Sequence, residues 1–172
     1  MHSLWIVEVK GSAMSDMRMR IGKHTERNPN KDEQYTPKWL FDRMGIVFDL
    51  DVAAPIGGAP YVPAHRYYTK IDDGLAEAWE GLVFMNPPYS AAKLWVEKFI
   101  QHGNGIALLP FSKSRWFWEL WESADAIVAI RNDLKFETPS KQENKIFMQV
   151  ALFAYGDEAK NALSKAEISR VR

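Results

Sequence analysis

The residues best suited to chemistry are Asn86, Pro87, Pro88 and Tyr89, which stand directly after the apolar run Gly81-Leu82-Val83-Phe84-Met85. Proline fixes φ and forces the residue before it into extended geometry, so the double proline makes this loop rigid and pins Asn86. The run before it reads as a buried strand. An amide side chain, the Pro87 carbonyl and an aromatic ring would then stand together at the C-terminal edge of a sheet, where ligand sites of open α/β sheets lie. On these residues alone, an active-site loop and a tight turn are both open readings.

A second candidate is Asp51, followed by the small residues Ala53 and Ala54. An acidic side chain beside small residues at a strand end suits a charged or hydroxylated small ligand; a plain strand and turn is the alternative. The chain has no Cys, and His2, His24, His65 and His102 are scattered without ligand spacing, so metal-free chemistry is expected. Lys plus Arg and Asp plus Glu each number 22, so a nucleic-acid partner would have to meet a local patch. One such patch is the stretch from Arg18 to Lys31, with five basic residues against Glu26. Another is Ser112, Lys113 and Arg115 at a strand end, open equally to phosphate contact and to simple solvation.

The elements that must position these groups follow from periodicity and punctuation. Thr36 is expected to cap a helix that Pro37 begins, with Trp39, Leu40 and Met44 on its apolar face and Gly45 as its stop. Residues 46–54 read as the first strand and its exit turn. Residues 55–63 hold three Pro and two Gly, which excludes the usual crossover helix. Residues 65–69 read as a short second strand and 71–75 as a turn, before Trp79 leads back to the sheet. After the proline loop, 91–102 read as an amphipathic helix carrying Leu94, Trp95, Lys98, Phe99 and Ile100. Then come a buried strand over 105–111, a helix over 114–123 with Trp116, Phe117, Leu120 and Trp121, and a strand over 126–130. Residues 135–141 read as a polar loop, and 145–155 as the longest strand, able to pair antiparallel with its predecessor.

This alternation implies an α/β fold with a mainly parallel sheet and an antiparallel C-terminal strand. At 172 residues, 47% apolar and 13% aromatic, the chain suits one packed domain over 31–156. Residues 1–30 read as a mobile basic arm and 157–172 as a surface helix or tail. No apolar run approaches the roughly eighteen residues that a membrane span needs, and Leu4 to Val7 with Glu8 is too short and too acidic for a signal peptide, so a cytoplasmic protein is expected.

The Asn86-Pro87-Pro88-Tyr89 loop resembles the motif of methyltransferases that act on amines with S-adenosylmethionine. Tyr35-Thr36-Pro37, Leu50-Asp51-Val52-Ala53-Ala54, Asp72-Asp73-Gly74-Leu75 before Trp79, and the proline loop, in this order, resemble the phage-type DNA N6-adenine methyltransferases, the Dam-like family. Leu108-Leu109-Pro110, Arg115-Trp116-Phe117 and Leu134-Lys135-Phe136 extend the resemblance, which covers about residues 32–155.

The resemblance implies a reduced Rossmann-like fold, S-adenosylmethionine as cofactor, DNA as partner and a bacterial host cell or phage as setting. It implies that Tyr35, Thr36 and Pro37 border the methionine end of the cofactor, that Asp51 and Ala53 line its centre, and that Asp72 or Asp73 holds its ribose or adenine. Asn86, Pro87, Pro88 and Tyr89 would hold the target base: two acceptors draw the amine hydrogens out of plane and free a lone pair otherwise delocalised into the ring. Lys113, Arg115, Lys135 and Phe136 would face DNA, although Phe136 and Trp116 also read as core. Other amines, such as cytosine N4 or a protein glutamine, and a silent nucleic-acid-binding module are the alternatives. One departure stands out. The glycine-rich turn that many methyltransferases carry after the first strand is here Ala53-Ala54-Pro55, with Gly57-Gly58 only later.

Overall fold

The structure, a computed structural model, describes residues 35–130, 134–137, 143–145 and 149–168. The expected N-terminal arm, the basic stretch from Arg18 to Lys31 and residues 138–141 of the expected loop lie outside the described residues.

The chain runs α1 (Lys38–Met44), β1 (Phe48–Asp51), β2 (Ala64–Tyr67), β3 (Val83–Met85), a 3-10 turn (Tyr89–Ala91), α2 (Ala92–His102), β4 (Gly105–Pro110), α3 (Arg115–Ser123), β5 (Ala126–Ile130), β6 (Lys135–Glu137), β7 (Glu143–Lys145), β8 (Val150–Tyr155) and α4 (Asp157–Lys165). Six strands form one sheet in the order β2-β1-β3-β4-β8-β5. Strands β2, β1, β3 and β4 pair in parallel. Strand β8 is antiparallel to both β4 and β5, so β5 runs the same way as β4. The carboxyl ends of five strands therefore share one edge.

Helices cover both faces, as the near-continuous apolar strands require. Leu40, Phe41 and Met44 of α1 and Ala159, Ala162 and Leu163 of α4 pack with Phe48, Phe84, Ile106, Leu108 and Leu152 on one side. Trp95, Val96 and Phe99 of α2 and Phe117 and Leu120 of α3 pack with Leu50, Val83, Met85, Leu109 and Phe153 on the other. Phe48 and Leu50 are two residues apart yet serve opposite cores. The cause is local: the N–H groups of Asp49 and Leu50 both point to the Leu82 carbonyl, at 2.8 and 3.4 Å, as in a β-bulge, which re-aims the end of β1.

The connections β1 to β2 and β2 to β3 contain no helix, as the three prolines of 55–63 foretell. Other expectations are corrected. Pro37, not Thr36, is the N-cap of α1, with no side-chain cap, because the Thr36 hydroxyl is engaged elsewhere. The expected loop over 135–141 begins as a strand, since β6 finds β7 and the Tyr35 backbone as partners. The expected strand over 145–155 is divided: Lys145 ends β7, and β8 starts at Val150. Leu94, placed on the apolar face of α2, is instead exposed. The C-terminal helix keeps a charged outer face but buries three residues in the core, so it is part of the packed unit.

Candidate active site

Hydrogen bonds draw the loops at the carboxyl edge together. Val52 N–H donates to the Phe84 carbonyl at 3.0 Å and Tyr68 N–H to the Asp51 carbonyl at 2.8 Å, which sets the ends of β1, β2 and β3 side by side. Gly74 locks the next loop onto them. A Cβ there would lie 2.2 Å from the Val52 carbonyl oxygen and 3.1 Å from the Trp95 ring, so only glycine lets the Asp73 turn approach this closely.

Within that turn the two aspartates part ways. Asp72 Oδ2 accepts from both the N–H and the hydroxyl of Thr69, each at 2.8 Å, and these bonds hold its carboxyl below the usual range. Asp72 is spent on the turn. Asp73 stands exposed in the left-handed region, φ 56°, with Oδ1 accepting from Leu75 N–H at 3.3 Å.

Sequence reasoning missed Lys98. Its ammonium donates to the carbonyls of Gly74 at 3.1 Å and Leu75 at 2.8 Å and to that of Glu77, and it lies 5.0 Å from the Trp79 ring centre. Partial burial lowers its pKa, while Asp73 and Glu77 act in the opposite direction. The available signal was its position one turn after Trp95 and beside Phe99, on the inner face of α2.

Asp51 is 4% exposed, and the one hydrogen bond to its carboxylate among the described residues comes from Ala53 N–H, 3.2 Å from Oδ1. Burial pushes its pKa up to about 7, only partly opposed by that bond. A carboxylate buried with so little compensation is costly to ionise, and a cationic neighbour would offset that cost. Ala53 is half-buried beside it.

Asn86, half-buried at the end of β3, donates from Nδ2 to Thr36 Oγ1 at 3.2 Å. Its Oδ1 has no partner among the described residues, and no described backbone N–H bonds to the Pro87 carbonyl. Two acceptors are thus free in adjacent residues. Pro87 is buried and Pro88 exposed. The Tyr89 hydroxyl is buried with no partner among the described residues, and burial raises its pKa, so the phenol stays protonated. Tyr89 also lines a pocket of about 540 Å³, shared with Lys93, Phe111, Ser112, Ser114 and Trp116.

Residues 23–157, more than three quarters of the chain, match the family model described as DNA N-6-adenine-methyltransferase (Dam). The chain belongs to the Dam family. Comparison with curated proteins and with solved structures returns no match. The family likeness ends at the start of α4 and spans every element that carries a candidate site residue.

The candidate DNA-facing residues divide. Lys113 is exposed between β4 and α3, beside the pocket-lining Ser112 and Ser114. Arg115 stands at the start of α3 with Nε 2.7 Å from Glu119 Oε1, and Lys135 is exposed at the start of β6. Phe136 does not join them. It is 1% exposed in the core with Phe84, Leu134 and Leu152, because the alternation of β6 turns it inward. Trp116 is half-buried, packed on the second core and lining the pocket at once. Tyr35 exchanges two backbone hydrogen bonds with Glu137, and its carbonyl and N–H are therefore structural.

Proposed function

We propose that this protein transfers a methyl group from S-adenosylmethionine to the N6 amine of adenine in DNA. The observation that carries this reading is the pair of acceptors left free among the described residues, Asn86 Oδ1 and the Pro87 carbonyl, on a proline-stiffened loop at the carboxyl edge of parallel strands in a chain of the Dam family. An aromatic amine is a poor nucleophile because its lone pair is conjugated with the ring. Two acceptors, one for each N–H, rotate those hydrogens out of plane and return the pair to nitrogen. Neither acceptor has to be a strong base, since a proton can leave to water once the nitrogen is methylated. Tyr89, held neutral by burial, serves as a ring against the base and not as a proton acceptor. The adenine must first leave the helical stack, at a cost of a few kcal/mol that stacking and edge hydrogen bonds return.

When bound, S-adenosylmethionine supplies an electrophilic methyl on a cationic sulfur. The residues at the strand ends fit such a group: Asp51 is a buried carboxylate with no cationic partner among the described residues, and the exposed Asp73 carboxylate on the adjoining turn suits a ribose or an amine. Of the two aspartates, Asp73 takes this role, because both polar bonds of Asp72 serve Thr69. Lys113 and Arg115, which follow β4 at this edge, and Lys135 at the start of β6 meet the phosphate backbone.

The test is incubation of the purified protein with DNA and labelled cofactor, followed by digestion to nucleosides and chromatography. Labelled N6-methyladenine is expected. Label only on cytosine or on protein, from cofactor-saturated protein, overturns the reading.

A further inference from the structure

We propose that Lys98 is a positioning residue that aims the Asp73 carboxylate at the cofactor through a single peptide group. The role rests on the reading of Asp73 given above and adds to it a residue that does not touch cofactor. Asp73 is exposed, and among the described residues its carboxylate has one hydrogen bond, from Leu75 N–H to Oδ1 at 3.3 Å. A carboxylate tethered by one donor is only as well placed as that donor. The donor belongs to the peptide that joins Gly74 to Leu75, so whatever orients this peptide orients Asp73.

Lys98 holds the other end of that peptide. A trans peptide directs its C=O and N–H in opposite senses, so a bond that fixes the carbonyl also fixes the line of the N–H. The Gly74 carbonyl accepts from Lys98 Nζ at 3.1 Å and from Trp79 Nε1 at 2.7 Å, which occupies both of its lone pairs. The same ammonium donates to the Leu75 carbonyl at 2.8 Å and to that of Glu77, so its three donors meet three acceptors of one turn. A cation on a carbonyl also polarises the peptide and strengthens its N–H as a donor toward the carboxylate. The frame behind these bonds is packed: Trp79 is buried and stacks on Trp95 of α2, ring centres 6.1 Å apart, one helical turn before Lys98. At the start of the turn Thr69 takes the bonds of Asp72, and its carbonyl accepts from Asp73 N–H at 3.2 Å. The backbone of Asp73 is thus held from Thr69 and its side chain from Lys98, with Oδ2 left open among the described residues.

Lys98→Met removes the charge and its donors while keeping the stem, and Asp73→Ala removes the carboxylate. Binding of S-adenosylmethionine by calorimetry and transfer to adenine-containing DNA at saturating cofactor are measured for wild type, both single variants and the double variant. Lys98→Met is expected to raise the cofactor Kd about 5- to 20-fold, the coupling of side chains that share one hydrogen-bond network. At saturation kcat and the KM for DNA should stay within about twofold, because the loss falls on cofactor binding and not on the transition state. In the Asp73→Ala background the same substitution should change Kd by less than about twofold, since the group it acts through is gone. An unchanged Kd in Lys98→Met overturns the role. So does an equal loss with and without Asp73, which would make Lys98 a general support of the fold, and so does a fall in kcat at saturation with normal Kd. Should Lys98→Met fail to fold, Lys98→Gln, a neutral donor of shorter reach, goes through the same cycle; an unchanged Kd, or a loss that persists without Asp73, overturns the role there too. A wild type that binds no cofactor, or an Asp73→Ala that binds it normally, removes the underlying reading, whereas a weakened Asp73→Ala beside an unimpaired Lys98→Met removes only this one.

Discussion

Replacing Asp51 with Asn should make the free protein more stable and the enzyme worse. Asp51 is 4% exposed and has one backbone N–H at 3.2 Å to offset the loss of water, and burial raises its pKa from 3.8 to about 7. The unfolded chain ionises this group near its ordinary value, whereas the folded chain resists ionisation until about pH 7. Folded protein therefore binds the extra proton between these values, and stability must fall as pH rises through that window, reaching a constant deficit above it. At about 1.4 kcal/mol for each tenfold change in the proton equilibrium, the deficit at pH 8 is on the order of 4 kcal/mol at most, and part of it is recovered by relaxation. Asn has the same shape, can accept from Ala53 N–H and carries no charge to desolvate. Urea denaturation of wild type and Asp51→Asn at pH 4 and pH 8 is the assay. The variant should be more stable by about 1–4 kcal/mol at pH 8, and the gap should close toward pH 4. Cofactor binding should weaken in the same variant, because the carboxylate that destabilises the free protein is the one that a cationic ligand would neutralise. A gap of equal size at both pH values, or a less stable variant at pH 8, would refute the reasoning.

Asn86→Ala removes one of the two acceptors and should lower kcat by at least about 100-fold with an unchanged melting temperature, as measured by transfer to DNA and by thermal denaturation. Gly74→Ala forces a methyl against the Val52 carbonyl, 2.2 Å away, and should cost about 1–3 kcal/mol in urea denaturation while weakening cofactor binding through displacement of the Asp73 turn. Lys98→Met keeps the stem over Trp79 but abandons the carbonyls of Gly74, Leu75 and Glu77. A loss of about 1–2 kcal/mol is expected, with faster amide hydrogen exchange confined to residues 74–77.

The parts of the molecule that were legible in the sequence are those set by short-range physics. The double proline after an apolar run fixes the Asn86 loop whatever surrounds it, and prolines in 55–63 rule out a helix by the same steric fact. The helices over Trp95 to Phe99 and Phe117 to Leu120 declare themselves by spacing. What was hidden depends on partners far along the chain. A Thr-Pro pair reads as a helix start, and only the arrival of Asn86 fifty residues later gives the hydroxyl something else to do. Lys135-Phe136-Glu137 is too short to announce a strand until Tyr35 and β7 supply its hydrogen bonds. Asp72 and Asp73 are indistinguishable as letters; Thr69 separates them by claiming the first. Lys98 reads in the sequence only as a member of the amphipathic pattern of α2, because its partners are backbone carbonyls, which leave no mark in a sequence.

The position of β8 governs the order in which the protein can come together. This strand is the last of those described along the chain yet interior to the sheet, and it joins β4 to the edge strand β5. During synthesis, the edge carrying Asn86 and Asp51 leaves the ribosome well before Val150, and until then β4 has one side unpaired and β5 has no partner in the sheet. A nascent chain stopped ahead of residue 150 therefore exposes two apolar strand edges that invite pairing with other chains. Closure of the sheet is a late, long-range event, and folding should be slow for a chain of this length.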